Sequence, residues 1–310
     1  MPTPPDWPDR LREFLKGWKS GEDDYLGDKP FSNFVLTEHA SSWDEFSTWL
    51  GELHAAWCFR GHRDAAWYLD TSLDRAVKKT ISTPTSSSLY HLDREAEGRE
   101  LLFRFQQQAH QYIPALPDTG DLCSWFALMQ HHGVPTRFLD WTKSAYVALY
   151  FAFEEEPSDA GCAIWAIDLD WLEAKARELL PEAPALASRD YNTRAECVNG
   201  LLSQTEKPVI LRVDPQLLDA RMVAQQGLFL CKLYHQAAFS MILMSMMSHP
   251  KVGDEPTVPD QPVIRRLVLK RELRIQLLKH LRAMNIHRAS LFPGLDGFGQ
   301  SLRLDLELKE

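Results

Sequence analysis

The sequence predicts an α+β domain, a mixed, largely antiparallel sheet flanked by helices. Three observations carry this. Short apolar runs of strand length are interspersed with amphipathic stretches of helical spacing. The two kinds follow one another without strict alternation, which disfavours a doubly wound parallel sheet. The chain's 310 residues, 45% of them hydrophobic, suffice for one large core. No internal repeat or linker stands out, so residues 41–310 are read as one domain and residues 1–40 as an N-terminal extension. The Pro-rich start "PTPPDWPDR" and the run "TISTPTSSS" (80–88) read as loose chain.

The elements follow in order. "WDEFSTWLGELHA" (43–55) places Phe46, Leu50 and Leu53 at helical spacing, with Ser41 or Ser42 to cap it, and "AWCFRG" is a short strand. "LDREAEGRELLFRFQQQAHQY" (92–112) is a charged amphipathic helix with Leu101, Phe105 and Ala109 on its apolar side. "DLCSWFALMQHHG" (121–133) aligns Leu122, Trp125, Phe126 and Met129 and ends at Gly133, a left-handed C-terminal cap. Val134-Pro135 forces extended chain, "TRFLD" (136–140) reads as a strand, and Thr142 or Ser144 caps "AYVALYFAFEEE". "CAIWAIDL" (162–169) is a strand and "DWLEAKARELL" a helix. "KPVILRV" (207–213) and the end of "RMVAQQGLFLCKL", from Gly227, are further strands. "AAFSMILMSMM" (237–247) is a buried helix, well short of the ~20 residues that span a bilayer. "PVIRRLVLK" (262–270) is a late strand, and "RELRIQLLKHLRAMN" the helix after it.

Composition narrows the function classes. With 34 basic against 43 acidic residues the net charge is -9, which makes nucleic acid a poor partner unless a local basic groove exists. No basic start leads into an apolar stretch, so secretion is not indicated and a cytoplasmic protein is expected. Five scattered cysteines in apolar surroundings suit reduced core thiols.

Two polar junctions remain, "WCFRGHRD" (57–64) and "QHHGVPTRFLDWT" (130–142). Arg60 ends an apolar strand next to Gly61, where backbone or ligand can approach closely, and its guanidinium can fork onto a phosphate or carboxylate. It can equally serve as the structural partner of Asp64 or Asp140. His131 and His132 are adjacent, so on a helix they diverge by about 100° and one site cannot readily use both. With no HExxH spacing, no metal site is predicted. Alternation along "TRFLD" puts Thr136, Phe138 and Asp140 on one face and Arg137 and Leu139 on the other. Plain helix capping accounts for Asp140 and Thr142, but leaves Gln130 and Arg137 unexplained. No Gly-rich phosphate loop and no GxSxG elbow occurs.

Taken in order, "FRG" (59–61), "TSLDR" (71–75), "QHHGVPTRFLDWT" with "ALYFA" (148–152), "RMVAQQGLF" (221–229) and "LFPGLDG" (291–297) resemble the FRG domain family. The aromatic-Arg-Gly strand end is also similar to the first dinucleotide contact of ADP-ribosyltransferases. That likeness implies NAD as substrate, an unknown macromolecular acceptor, and a role as intracellular toxin or phage-defence effector. Under it, Arg60 and Gly61 hold the dinucleotide, His132, Thr136, Arg137 and Thr142 line its wall, and Gln226 of "AQQG" takes the late position. The transferases carry a catalytic glutamate there. Gln225 and Gln226 stand in its place, so Asp140 is the carboxylate expected to stabilise the oxocarbenium charge that develops when nicotinamide leaves. The rival expectation is a non-catalytic nucleotide- or protein-binding module. A third is metal-assisted hydrolysis at His131, His132 and Asp140.

Overall fold

The computed structural model describes residues 35–81, 94–203, 207–215, 219–235, 237–248 and 261–308. The proline-rich start and residues 82–88 of the Ser/Thr run lie outside them. The first half of the chain forms β1 (Leu36–Ala40), α1 (Trp43–Gly51), β2 (Trp57–His62), α2 (Ser72–Ile81), α3 (Arg94–Ala109), α4 (Leu122–His131), β3 (Phe138–Thr142) and α5 (Ala145–Phe153). The second half forms β4 (Cys162–Asp168), α6 (Leu169–Leu179), α7 (Tyr191–Leu202), β5 (Ile210–Val213), α8 (Ala220–Ala224), β6 (Gly227–Lys232), α9 (Phe239–Ser248), β7 (Ile264–Leu269), α10 (Arg274–Ala283), α11 (Arg288–Leu291) and α12 (Leu295–Glu307).

All seven strands share one sheet, ordered β1-β7-β4-β2-β3-β6-β5. Only β1 against β7 is parallel, so the sheet is mixed and largely antiparallel as the sequence predicts. Both faces are covered, which is why β4 reads as a near-continuous apolar run rather than an alternating one. Ile164 and Ala166 join the core under α1, α5 and α10, whereas Trp165 and Ile167 join the core that includes residues of α4, α7 and α9. Each large side chain so buried contributes about 1.5–3 kcal/mol. Among the described residues no helix is long and apolar enough to cross a membrane.

Short polar side chains set the helix starts. Ser42 Oγ accepts from Glu45 N, Asp121 Oδ1 from Ser124 N, and Ser144 Oγ from Val147 N. Gly133, at φ +75°, ends α4 in the left-handed conformation expected of it. Two expectations are corrected. The third strand runs over 138–142 rather than 136–140, because the backbone of Thr136 bonds to α2 and not to a neighbouring strand: its N–H donates to Ser72 Oγ at 2.9 Å and its carbonyl accepts from Leu73 N at 3.1 Å. β1 falls inside the stretch read as an extension, yet it is the parallel edge strand.

Gly61 lies directly beneath α5. A Cβ there would collide with the backbone of Ala148 and Ala152, so the glycine permits helix-on-strand contact. Gly61→Ala should destabilise the fold by about 1–3 kcal/mol through overpacking. Urea unfolding checks this, and an unchanged midpoint would contradict it.

Candidate functional site

β2 and β3 pair at one residue pair only, Phe59 with Thr142, and beyond it they part. A backbone carbonyl exposed by such parting needs a donor. Arg60 supplies it: Nη1 donates to the Asp140 carbonyl at 2.6 Å and lies 3.9 Å from the Asp140 carboxylate. Nε donates to His62 Nε2 at 3.1 Å. That bond requires a neutral imidazole, and burial together with the Arg60 charge holds His62 well below its ordinary pKa. Burial pulls Arg60 itself down to about 10, with Asp140 opposing and Arg75 adding, so it stays cationic at neutral pH. Its side chain is 17% exposed, and Nη2 makes no hydrogen bond among the described residues.

Gln130 continues the network from the last turn of α4. Its Nε2 donates to Asp140 Oδ2 at 2.8 Å, and its Oε1 accepts from Thr136 Oγ1 at 2.5 Å and Ser72 Oγ at 3.4 Å. The amide is thereby oriented, and it fixes the Asp140 carboxylate beside Arg60.

A cleft of about 300 Å³ opens over this network. Arg60, Gly61, Gln130, His131, Asp140 and Thr142 line one side, and Asp219, Arg221, Met222 and Gln225 another. The second wall is tied to β3 by Thr142 Oγ1, which donates to the Gln225 carbonyl at 2.7 Å, and by Lys143 N, which donates to the Gln226 carbonyl at 3.0 Å. A second cavity, of about 600 Å³, lies on the other side of Arg60 and shares Arg60, Gly61 and Phe151 with the first. Its other lining residues include Arg63, Trp67, Tyr68 and Arg75, with the Trp67 ring under the Arg63 guanidinium at 5.2 Å.

The sequence-derived candidates thus separate. Arg60, Gly61, Asp140 and Thr142 meet at the cleft, although Gly61 answers to α5 and the Thr142 hydroxyl to the Gln225 loop. Thr136 is buried and supports Gln130 from behind. Arg137 is not in the cleft. It is buried over the Phe126 ring, with Nη1 2.7 Å from His235 Nε2 and Nη2 on the Leu202 carbonyl. Burial, with the Arg137 charge beside it, takes His235 down to about 3, so its Nε2 is free to accept. Gln226 is exposed at φ +48° and does not line the cleft; Gln225 does, with Nε2 donating to the Leu291 carbonyl at 3.0 Å. His132 caps α4 and faces a separate groove.

The resemblance favours Gln226 over Gln225, which is the one that lines the cleft, and neither Asp219 nor the supporting role of Ser72 shows in the sequence. The cation-binding geometry found among the described residues is at His54, Asp168 and Asp170 rather than at His131, His132 and Asp140. There Asp168 Oδ1 already caps α6 by accepting from Asp170 N and Trp171 N.

The fold and this arrangement define an α+β domain with a cleft at a parting of two central strands, where a half-buried arginine and a carboxylate meet apolar side chains. Residues 55–160 match the model of the FRG domain family. This stretch carries Arg60, Gln130, His131 and Asp140; the wall from Asp219 to Phe229 lies beyond the matched residues. No curated protein and no solved structure matches the chain.

Proposed function

We propose that the protein is a cytoplasmic, ADP-ribosyltransferase-like enzyme that takes NAD as substrate and acts as a toxin or phage-defence effector. The observation that carries this reading is the position of Arg60 at the junction of two cavities, with Asp140 lining only the smaller. A dinucleotide has this shape: two nucleoside halves joined by a pyrophosphate, and a guanidinium is the side chain that forks onto phosphate. The nicotinamide riboside half then lies beside Asp140, and the adenosine half beside Trp67.

The chemistry suits the groups present. The C1′–N glycosidic bond breaks, its electron pair passes to the nicotinamide ring and neutralises it, and positive charge develops on the ribose. A carboxylate hydrogen-bonded to the 2′-hydroxyl stabilises that charge, and Asp140 is held for the task by Gln130. The acceptor then bonds to C1′ and gives up a proton. Nicotinamide leaves as a neutral molecule, so no general acid is needed.

Purified protein incubated with labelled NAD and a cell extract is expected to release nicotinamide and to label a macromolecular acceptor. A second reading, a non-catalytic binding module, draws on the engagement of the Asp140 carboxylate by Gln130 and Arg60. Tight NAD binding without nicotinamide release would decide for it. The two-cavity reading makes its own prediction. Trp67→Ala should weaken NAD binding about 10-fold, as loss of a base-stacking platform does, while leaving binding of nicotinamide mononucleotide unchanged. Titration calorimetry with both ligands checks this, and equal losses for the two would exclude Trp67 from an adenosine subsite.

A further inference from the structure

His131 and Asp219 form a pair that the Arg60–Asp140 network does not use. His131 Nδ1 lies 2.8 Å from Asp219 Oδ2, while Asp219 Oδ1 accepts from Met222 N at 2.8 Å and caps α8. The carboxylate is therefore anchored to backbone at one oxygen and to the imidazole at the other. A carboxylate accepting from Nδ1–H fixes the tautomer and leaves the Nε2 lone pair free, the arrangement in which a histidine takes a proton from a nucleophile. His131 lines the same cleft as Asp140 and Arg60, whereas its neighbour His132 does not. The family resemblance points to His132 for the wall, whereas the structure brings His131 to the cleft and pairs it with Asp219.

We propose that His131 is the general base of the cleft and Asp219 its positioning residue, and that the acceptor is a hydroxyl-bearing molecule or water. This inference rests on the NAD reading given above. As the acceptor oxygen bonds to C1′ of the ribose, its proton passes to His131 Nε2. The imidazolium so formed is stabilised by Asp219, and it returns the proton to solvent after the product leaves. No oxidant, reductant or further reactant enters.

The test uses the full chain and NAD. His131→Ala is expected to lower kcat by about 10²-fold with little change in KM, the size of a general-base contribution. Free imidazole in the buffer should restore part of the loss, which a merely structural role would not allow. Asp219→Asn should give a smaller loss that imidazole does not repair. Wild-type turnover that survives His131→Ala intact would overturn the inference and leave the NAD reading standing. No turnover by wild type would overturn both. The arrangement is also readable without substrate: in protein labelled with ¹⁵N-histidine, long-range ¹⁵N–¹H correlation should show His131 protonated at Nδ1 alone, and the Asp219→Asn variant should lose that preference. Protonation at Nε2 alone in the wild type would overturn the inference whatever happens to NAD.

Discussion

Arg60→Ala should raise the Kd for NAD by about 10²-fold and reduce nicotinamide release at sub-saturating NAD by at least as much, in a protein that still folds. Hydrogen bonds to charged groups are worth about 1.5–3 kcal/mol each, and a pyrophosphate held by a fork loses more than one. The variant has a second effect in the same direction. With the guanidinium gone, the Asp140 carbonyl loses its donor at 2.6 Å where β2 and β3 part, so the carboxylate is less well placed for the ribose. Arg60→Lys separates the two contributions. It keeps the charge but not the geometry that reaches His62 and Asp140 together, so its loss should fall between wild type and alanine. Calorimetry and a nicotinamide assay, with circular dichroism to verify folding, measure all three proteins. An alanine variant that binds and turns over NAD like wild type would remove Arg60 from the site and the dinucleotide reading with it.

How much of this was legible in the sequence depends on which residues must meet. Arg60 and Asp140 stand out because each belongs to a dense polar stretch at the edge of an apolar element, and these two stretches do converge. Period-two alternation already put Arg137 and Asp140 on opposite faces, and the structure obeys that pattern: Arg137 is buried against Phe126 and His235, not in the cleft. One cleft therefore takes only one of the two, and it is Asp140. The resemblance points to His132, whereas the structure places His131 in the cleft beside Asp219, a partner that nothing nearby in the chain announces. Gln226, the residue the resemblance favours, sits in a left-handed turn, is exposed and does not line the cleft, whereas Gln225 does. β1 escaped notice because it is a single exposed edge strand, with most of its residues outside the core. Local patterns thus reveal elements and polar junctions, whereas partners brought together by the sheet do not show in them.

The largest effect on stability is expected from such a pairing, Asp74 with Lys232, which lie 158 positions apart. Both side chains are fully buried, and Lys232 Nζ donates to Asp74 Oδ1 at 2.5 Å, the Ala237 carbonyl at 2.8 Å and the His235 carbonyl at 3.3 Å. Three acceptors around one nitrogen call for the ammonium form. Burial alone would push the Asp74 carboxyl up, but Lys232, the Thr71 hydroxyl and Arg94 more than offset it, so its pKa is lowered. Lys232→Met leaves the buried Asp74 with Arg94 alone as countercharge and Asp74→Asn leaves the Lys232 ammonium with carbonyls alone, and each should cost about 3–5 kcal/mol. The double variant should lose clearly less than the sum, because the uncompensated charge is then gone. Urea unfolding of the four proteins measures the coupling, and strictly additive losses would show that the pair does not act as one. A lowered carboxylate contributes stability that is full above its unfolded pKa and lost as pH falls through the native one. Wild type should therefore lose this contribution only in acid, below the ordinary carboxylate range, and Asp74→Asn should show a correspondingly flatter acid limb. The pair bears on the site as well. Asp74 lies on α2, which also carries the Ser72 that supports Gln130, and Lys232 lies on β6, whose first residues wall the cleft. Breaking it should loosen both sides of the cleft at once, so the single variants are expected to lose NAD binding at temperatures where they remain folded.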